Sequence, residues 1–244
     1  LLAINFLNKE TMMKNREILT GERGARRLDD ITAPLTEVYK AAFAGEPWYE
    51  ASRCLAEECS VGFCPDAPGL PCASCGSELA EAYETDELAA AWRRMITNED
   101  AMMEVGYLDD GPVRVTLARP TTPRGLFERK YADVPAMEAW MEENLDPGLV
   151  WIEDTFADRN KQPRGNLKDR GRTLGGIALR YGGLAIVTRT LAPQIIAATL
   201  RDVSESTDLF IGTDRVGNAM TGARSIGDVP DRRTLLNVRL EAKK

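Results

Sequence analysis

Apolar residues recur at helical spacing over residues 33–45, at Leu35, Val38, Tyr39, Ala42 and Phe43, and Gly45 and Pro47 end that run. The same spacing returns over 86–97, with Leu88, Ala91, Trp92, Met95 and Ile96 on one face. The pattern then changes period. Two β-prone runs in "MMEVGYLDDGPVRVTLARP" flank Asp109-Asp110-Gly111, a hairpin signal. Residues 134–145 return to a helical stripe of Met137, Trp140 and Met141, and "LVWIEDTFA" at 149–157 reads as a buried strand. A helix over 173–183, a strand over 184–190 and a helix over 192–202 opened by Pro193 follow. "TDLFIG" and "RTLLNVRL" close the chain as strands. Helices that alternate with strands around a hairpin predict a mixed α/β sheet domain.

Composition narrows the chemistry. The chain has 244 residues, 43% of them hydrophobic and 28% charged, as in an ordinary globular protein. It contains no histidine, which excludes a Ser-His-Asp triad, a Cys-His dyad and any His-ligated metal. The net charge of −7 disfavours nucleic acid as a partner. No run reaches membrane-spanning length, and a cytoplasmic location is expected. Met12-Met13 follow a short apolar start, so the first eleven residues are expected to contribute little. Residues 1–30 are expected to be a partly flexible N-terminal extension, with a single domain over 31–244.

All five cysteines fall within residues 52–76. A disulfide framework is not expected in a reducing compartment, whereas clustered thiolates suit a metal. Cys72 and Cys75 form a CxxCG turn, in which two thiolates converge and Gly76 relieves the backbone. On spacing alone the second pair is Cys54 with Cys59, or Cys59 with Cys64. Four thiolates on a tetrahedral centre suit a structural zinc and leave no open position for catalysis.

The segment before the cysteines, "VYKAAFAGEPWYEASRC", resembles the entry of a subgroup of the GNAT (N-acetyltransferase) superfamily. There a helix ends in an FAxxPWxE turn, and a zinc knuckle ending in CxxCG follows. The matching residues are Phe43, Ala44, Pro47, Trp48 and Glu50, then Cys54, Cys59, Cys72, Cys75 and Gly76. The resemblance implies a GNAT-like mixed sheet flanked by helices, with the knuckle inserted at 52–77 after the first helix. It also favours Cys54 over Cys64 as the fourth ligand. Further along, Gln162, Arg164, Gly165, Asn166 and Leu167 are similar to the superfamily's pyrophosphate loop, with Leu167 where the pattern has a small residue.

The resemblance implies an acetyl-CoA-dependent N-acyltransferase with acetyl-CoA as co-substrate and zinc as a structural cofactor. Phe156 and the five loop residues would bind the coenzyme, and Glu153, just before the loop, would be the general base. The implied acceptor is a small-molecule or peptide amine, and the architecture leaves room for a homodimer. The alternative is a catalytically inactive module of the same fold that uses its knuckle for protein contact.

Overall fold

The computed structural model describes residues 15–45, 48–109, 111–132, 136–158, 161, 177, 180–181, 185–190, 209–215, 225–226, 229–230 and 234–242, and every structural statement refers to these. Seven strands form one mixed sheet in the order β1-β5-β6-β7-β8-β12-β9. They are β1 (Asn15–Leu19), β5 (Met102–Leu108), β6 (Gly111–Thr121), β7 (Leu149–Ala157), β8 (Ala185–Thr190), β9 (Leu209–Arg215) and β12 (Thr234–Ala242). Neighbours run antiparallel except β7 and β8, which are parallel. The remaining strands are two-residue pieces. β2 (Ser52–Arg53), β3 (Phe63–Cys64) and β4 (Ala80–Glu81) form a small sheet of their own, and β10 (Ser225–Ile226) pairs with β11 (Val229–Pro230).

The hairpin expected at Asp109-Asp110-Gly111 joins β5 to β6. Leu108 faces Gly111, and Gly111 takes a φ of +123°, a conformation that favours glycine. Alternation along these strands sends Met103, Val105, Val115 and Leu117 to one face. Helices α1 (Gly21–Phe43) and α2 (Thr85–Asn98) cover that face and add Leu28, Leu35, Trp92 and Ile96 to its core. Two shorter helices, α3 (Pro123–Lys130) and α4 (Ala136–Asn144), build a second core of Leu126, Met141, Leu145, Leu149, Trp151 and Val187.

Three findings depart from the sequence expectation. First, α1 begins at Gly21, twelve residues before the expected start, and runs through Pro34. Pro34 and Asp30, whose carbonyl loses its helical donor to the proline ring, both lie on the exposed face, so the break is solvated rather than buried. Second, the segment expected as a partly flexible extension over 1–30 carries β1 at Asn15–Leu19 and the start of α1 at Gly21. β1 pairs along β5 from Asn15↔Tyr107 to Leu19↔Met103, and Glu17 ties it to Arg27 (2.9 Å) and to the Tyr107 hydroxyl (2.8 Å). Third, α3 carries only Pro123 and Leu126 as buried residues, too few for a periodic signal. Its start is set locally, by Pro123 in the first turn and the Thr122 hydroxyl accepting from the Gly125 N–H at 3.1 Å.

Of the helix expected over 173–183, Ile177 and Arg180 are helical, and the Tyr181 N–H bonds the Ile177 carbonyl at 3.2 Å. The helix expected over 192–202 and residues 1–14 lie outside the described residues. No helix among the described residues is long and apolar enough to cross a membrane.

Gly24 is the tightest point of the α1–β1 corner. A Cβ built there would lie 2.7 Å from the Leu19 carbonyl carbon. Alanine in a helix normally gains about 1 kcal/mol over glycine. Here the backbone clash dominates, and Gly24→Ala is expected to destabilise the fold by about 1–3 kcal/mol in urea unfolding. A stabilised variant would show that β1 yields.

Candidate functional site

The knuckle starts where α1 ends. The Glu50 N–H bonds the Phe43 carbonyl at 2.9 Å, and β2 then pairs with both β3 and β4 through Ser52↔Cys64 and Ser52↔Glu81. This places four sulfurs together. Those of Cys54, Cys59, Cys72 and Cys75 all lie within 4.8 Å of one another, with Cys54 to Cys75 at 3.5 Å and Cys59 to Cys72 at 3.8 Å. A tetrahedral site with metal–sulfur bonds of ~2.3 Å has edges of about 3.8 Å, so the donor set fits a thiophilic cation. Gly76 has a φ of +76° and donates to the Cys72 carbonyl at 2.8 Å, closing the turn that brings Cys72 and Cys75 to one point.

Cys64 lies apart from the four. It is buried, and its sulfur sits 3.3 Å from the Ser52 hydroxyl. The sulfurs that cluster thus include that of Cys54 and leave out that of Cys64. Within the cluster, the Ser77 hydroxyl and backbone, followed by Cys54, lower the Cys75 thiol to about 6. Cys54 is pushed up to about 12: a backbone hydrogen bond at Ala56 acts to lower it, and desolvation with the neighbouring Cys75, Cys59 and Cys72 thiols outweighs that.

The second feature is in the main sheet. β7 and β8 pair over only three positions, Leu149↔Ala185, Val150↔Ile186 and Trp151↔Val187. Beyond Trp151, β7 keeps β6 on its outer side and β8 keeps β12, but they no longer pair with each other. Among the described residues the two strands therefore part in the middle of the sheet. The register also breaks here. Ala118 faces Ile152 and Leu117 faces Asp154, so Glu153 is skipped as the extra residue of a β-bulge.

Glu153 is embedded in ions. Its Oε1 accepts from the Lys130 ammonium, and its Oε2 accepts from the Trp151 indole N–H at 3.1 Å and lies 3.5 Å from Arg119 Nε. Arg119 also reaches Glu99 at 3.4 Å, and Glu99 in turn takes Arg129 and, at 3.5 Å, Arg94. Burial lowers the Arg119 pKa, with Glu153 opposing it, and its Nε and Nη2 lack a hydrogen-bond partner. Both oxygens of this carboxylate are thus engaged by neighbouring donors.

Asp154, the next residue, serves a different neighbourhood. Its charge acts on Tyr39 and Tyr83, whose hydroxyls are pushed up, chiefly by burial, with Asp154 and Glu50 adding to it. Tyr83 donates to Glu50, itself nearly buried. Phe156 is buried in the core against Tyr39 (4.8 Å between ring centroids). Gln162, Arg164, Gly165, Asn166 and Leu167 lie outside the described residues, as does the side chain of Arg189.

Sequence reasoning missed Arg119, Lys130 and Tyr83. Arg119 alone left a signal, as one of two arginines, with Arg114, in the β-prone run 111–121.

No protein-family model matches the chain. No curated protein matches it significantly. Among solved structures it resembles a Drosophila melanogaster polyamine N-acetyltransferase that forms N-acetylagmatine, at 13% identity and a TM-score of 0.46, over 93% of this chain and 100% of that one. It also resembles the aminoglycoside acetyltransferase AAC(6')-Ib in complex with ribostamycin and coenzyme A, at 13% identity and 0.46, over 92% of each chain. A mosquito arylalkylamine N-acetyltransferase like 5b scores 0.48 at 10% identity, over 93% of this chain and 100% of that one. At these scores the likeness is loose, and what the site can do is read from this chain's own geometry.

The four-sulfur cluster makes a sharp expectation. Purified under reducing conditions, the protein should carry about one zinc per chain. Cys72→Ser and Cys75→Ser should release it and lower the melting temperature, whereas Cys64→Ser should retain it. Metal content measured by atomic absorption decides, and loss of zinc in Cys64→Ser would refute the assignment.

Proposed function

We propose that the chain is an acyl-CoA-dependent N-acyltransferase whose cysteine knuckle holds a structural zinc. The parting of β7 and β8 beside the Glu153 bulge carries this reading. A strand edge exposed inside a sheet is a ready partner for an amide-bearing chain, and the pantetheine arm of coenzyme A is such a chain. The same edge offers N–H groups that polarise a thioester carbonyl. The loop with Gly165 would receive the pyrophosphate, since a glycine lets the backbone approach and Arg164 adds positive charge.

The reaction is a direct transfer. The acceptor nitrogen attacks the thioester carbonyl, the C–N bond forms, the C–S bond breaks, and the proton that the nitrogen sheds as the amide forms goes to the leaving thiolate. The ammonium must first lose a proton, which needs a base at the bulge. Of its two carboxylates we assign that role to Asp154. Glu153, the residue expected from sequence, is occupied by Lys130, Arg119 and Trp151 and serves better to fix the bulge. No histidine is needed at any step.

Calorimetry with acetyl-CoA tests the reading directly. Micromolar binding that Gly165→Val abolishes without unfolding the protein is expected. Absence of binding would leave the inactive knuckle module as the better account.

The two carboxylates separate by measurement. Asp154→Asn should keep coenzyme affinity and lose on the order of a hundredfold in transfer rate, less at high pH where the amine is already free. Glu153→Gln should cost about 1–3 kcal/mol of stability, because it leaves buried cations short of a partner. A rate loss in Glu153→Gln at unchanged stability would return the base to Glu153.

A further inference from the structure

The knuckle is far from Phe156 in sequence, yet a continuous row of rings joins them. Phe63, on β3 inside the knuckle, stacks on Tyr83 with centroids 5.4 Å apart and planes at 29°. Tyr83 meets Tyr39 of α1 edge-on at 4.8 Å, and Tyr39 meets Phe156 of β7 edge-on at 4.8 Å. Phe156 sits on the part of β7 that has already parted from β8. The first ring's position is set by the thiolate loop, because β3 pairs with β2, and Cys54 directly follows β2. Tyr83 follows β4, the other strand paired with β2, and donates to Glu50 at the knuckle's entry. Both stems of the knuckle therefore meet at Tyr83.

We propose that Tyr83 is a positioning residue through which the state of the cysteine knuckle sets the free edge of β7. With the four thiolates drawn to a metal, Phe63 and Glu50 hold Tyr83 in one place. Tyr83 then fixes Tyr39, and Tyr39 fixes Phe156 from beneath the sheet. With the metal removed, β2 and β4 lose their common anchor, Tyr83 gains freedom, and the edge beyond Trp151 loosens. Packed rings transmit displacement because a close-packed interior has few intermediate arrangements. The inference rests on metal in the knuckle and not on acyl transfer, and its test uses neither coenzyme nor acceptor.

Hydrogen exchange on the full chain, zinc-loaded and after chelation, reads the coupling. Chelation should speed exchange of β7 amides over 152–157 about tenfold or more, and leave β5 amides, on the far side of β6, within about twofold. In Tyr83→Ala the amides over 152–157 should exchange fast from the outset, with chelation adding little. Tyr83→Phe keeps the ring row and loses only the bond to Glu50, so it should keep most of the response, which guards against a variant that merely folds poorly. Three results would each overturn the proposal: no zinc in the protein, no change over 152–157 on chelation, or an equal response in Tyr83→Ala.

Discussion

A sheet that is closed at one end of two strands and open at the other must stop itself from zipping shut. β7 is held to β6 over eight register pairs and β8 to β12 over six, while the two halves of the sheet share only three. Strand edges with free N–H and C=O groups seek partners, and an edge in the middle of a sheet has one close by. The bulge at Glu153 lies where continuation would begin. It adds a residue to β7 just past the last parallel pair, which bends the strand and increases its twist. The bulge in turn needs an anchor, and the Glu153 carboxylate supplies one by taking Lys130, Trp151 and Arg119 together.

The surroundings of β7 are accordingly of two kinds. Around Phe156 its neighbours are aromatic: Tyr39, Phe43 and Trp92 surround it, and such packing stabilises through buried area. Around Glu153 they are ionic, and the balance there is poorer. Arg119 is 3% exposed and leaves two of its nitrogens without a hydrogen bond. Each unmet buried donor costs on the order of 1–3 kcal/mol. An apolar residue at position 119 would remove that cost but would also leave Glu153 with one cation fewer and the bulge less firmly held. The ionic network is better understood as geometry than as net stability.

What could be read from the sequence follows from how local each feature is. α2, β7 and the Asp109-Asp110 hairpin announce themselves by periodicity or turn chemistry within a dozen residues, and all three stand where expected. The four-sulfur cluster is nearly as local, since a CxxCG turn and a second pair have few ways to converge. By contrast, the first half of α1 is masked by its charge-rich sequence and two glycines, and Gly24 makes sense only once Leu19 is seen pressed against it. α3 has too few buried residues to show a stripe. The occupation of Glu153 depends on Lys130, Arg119 and Trp151, which arrive from three elements, so its identity as a carboxylate on a strand was legible and its environment was not.

The knuckle itself raises a question of energy. About forty residues separate α1 from α2, and the strands among them are two residues long. Their buried apolar core consists of Cys64, Cys72 and Leu79. Segments of this size rarely hold a fixed shape by burial alone, and loops this long inside a compact fold need another constraint. Thiolate–metal bonds would supply it, because a metal site contributes its binding free energy directly to the fold of the segment that forms it. A structural centre of this kind matters for chemistry only if something beyond the loop depends on the loop's shape. Glu50 and Tyr83 meet that condition. They leave the knuckle from opposite strands, join by a hydrogen bond, and stand next to Tyr39, which packs on Phe156 two residues beyond Asp154. A metal held by the four sulfurs would therefore need no open coordination position to influence β7, since its effect would be carried by the chain it folds.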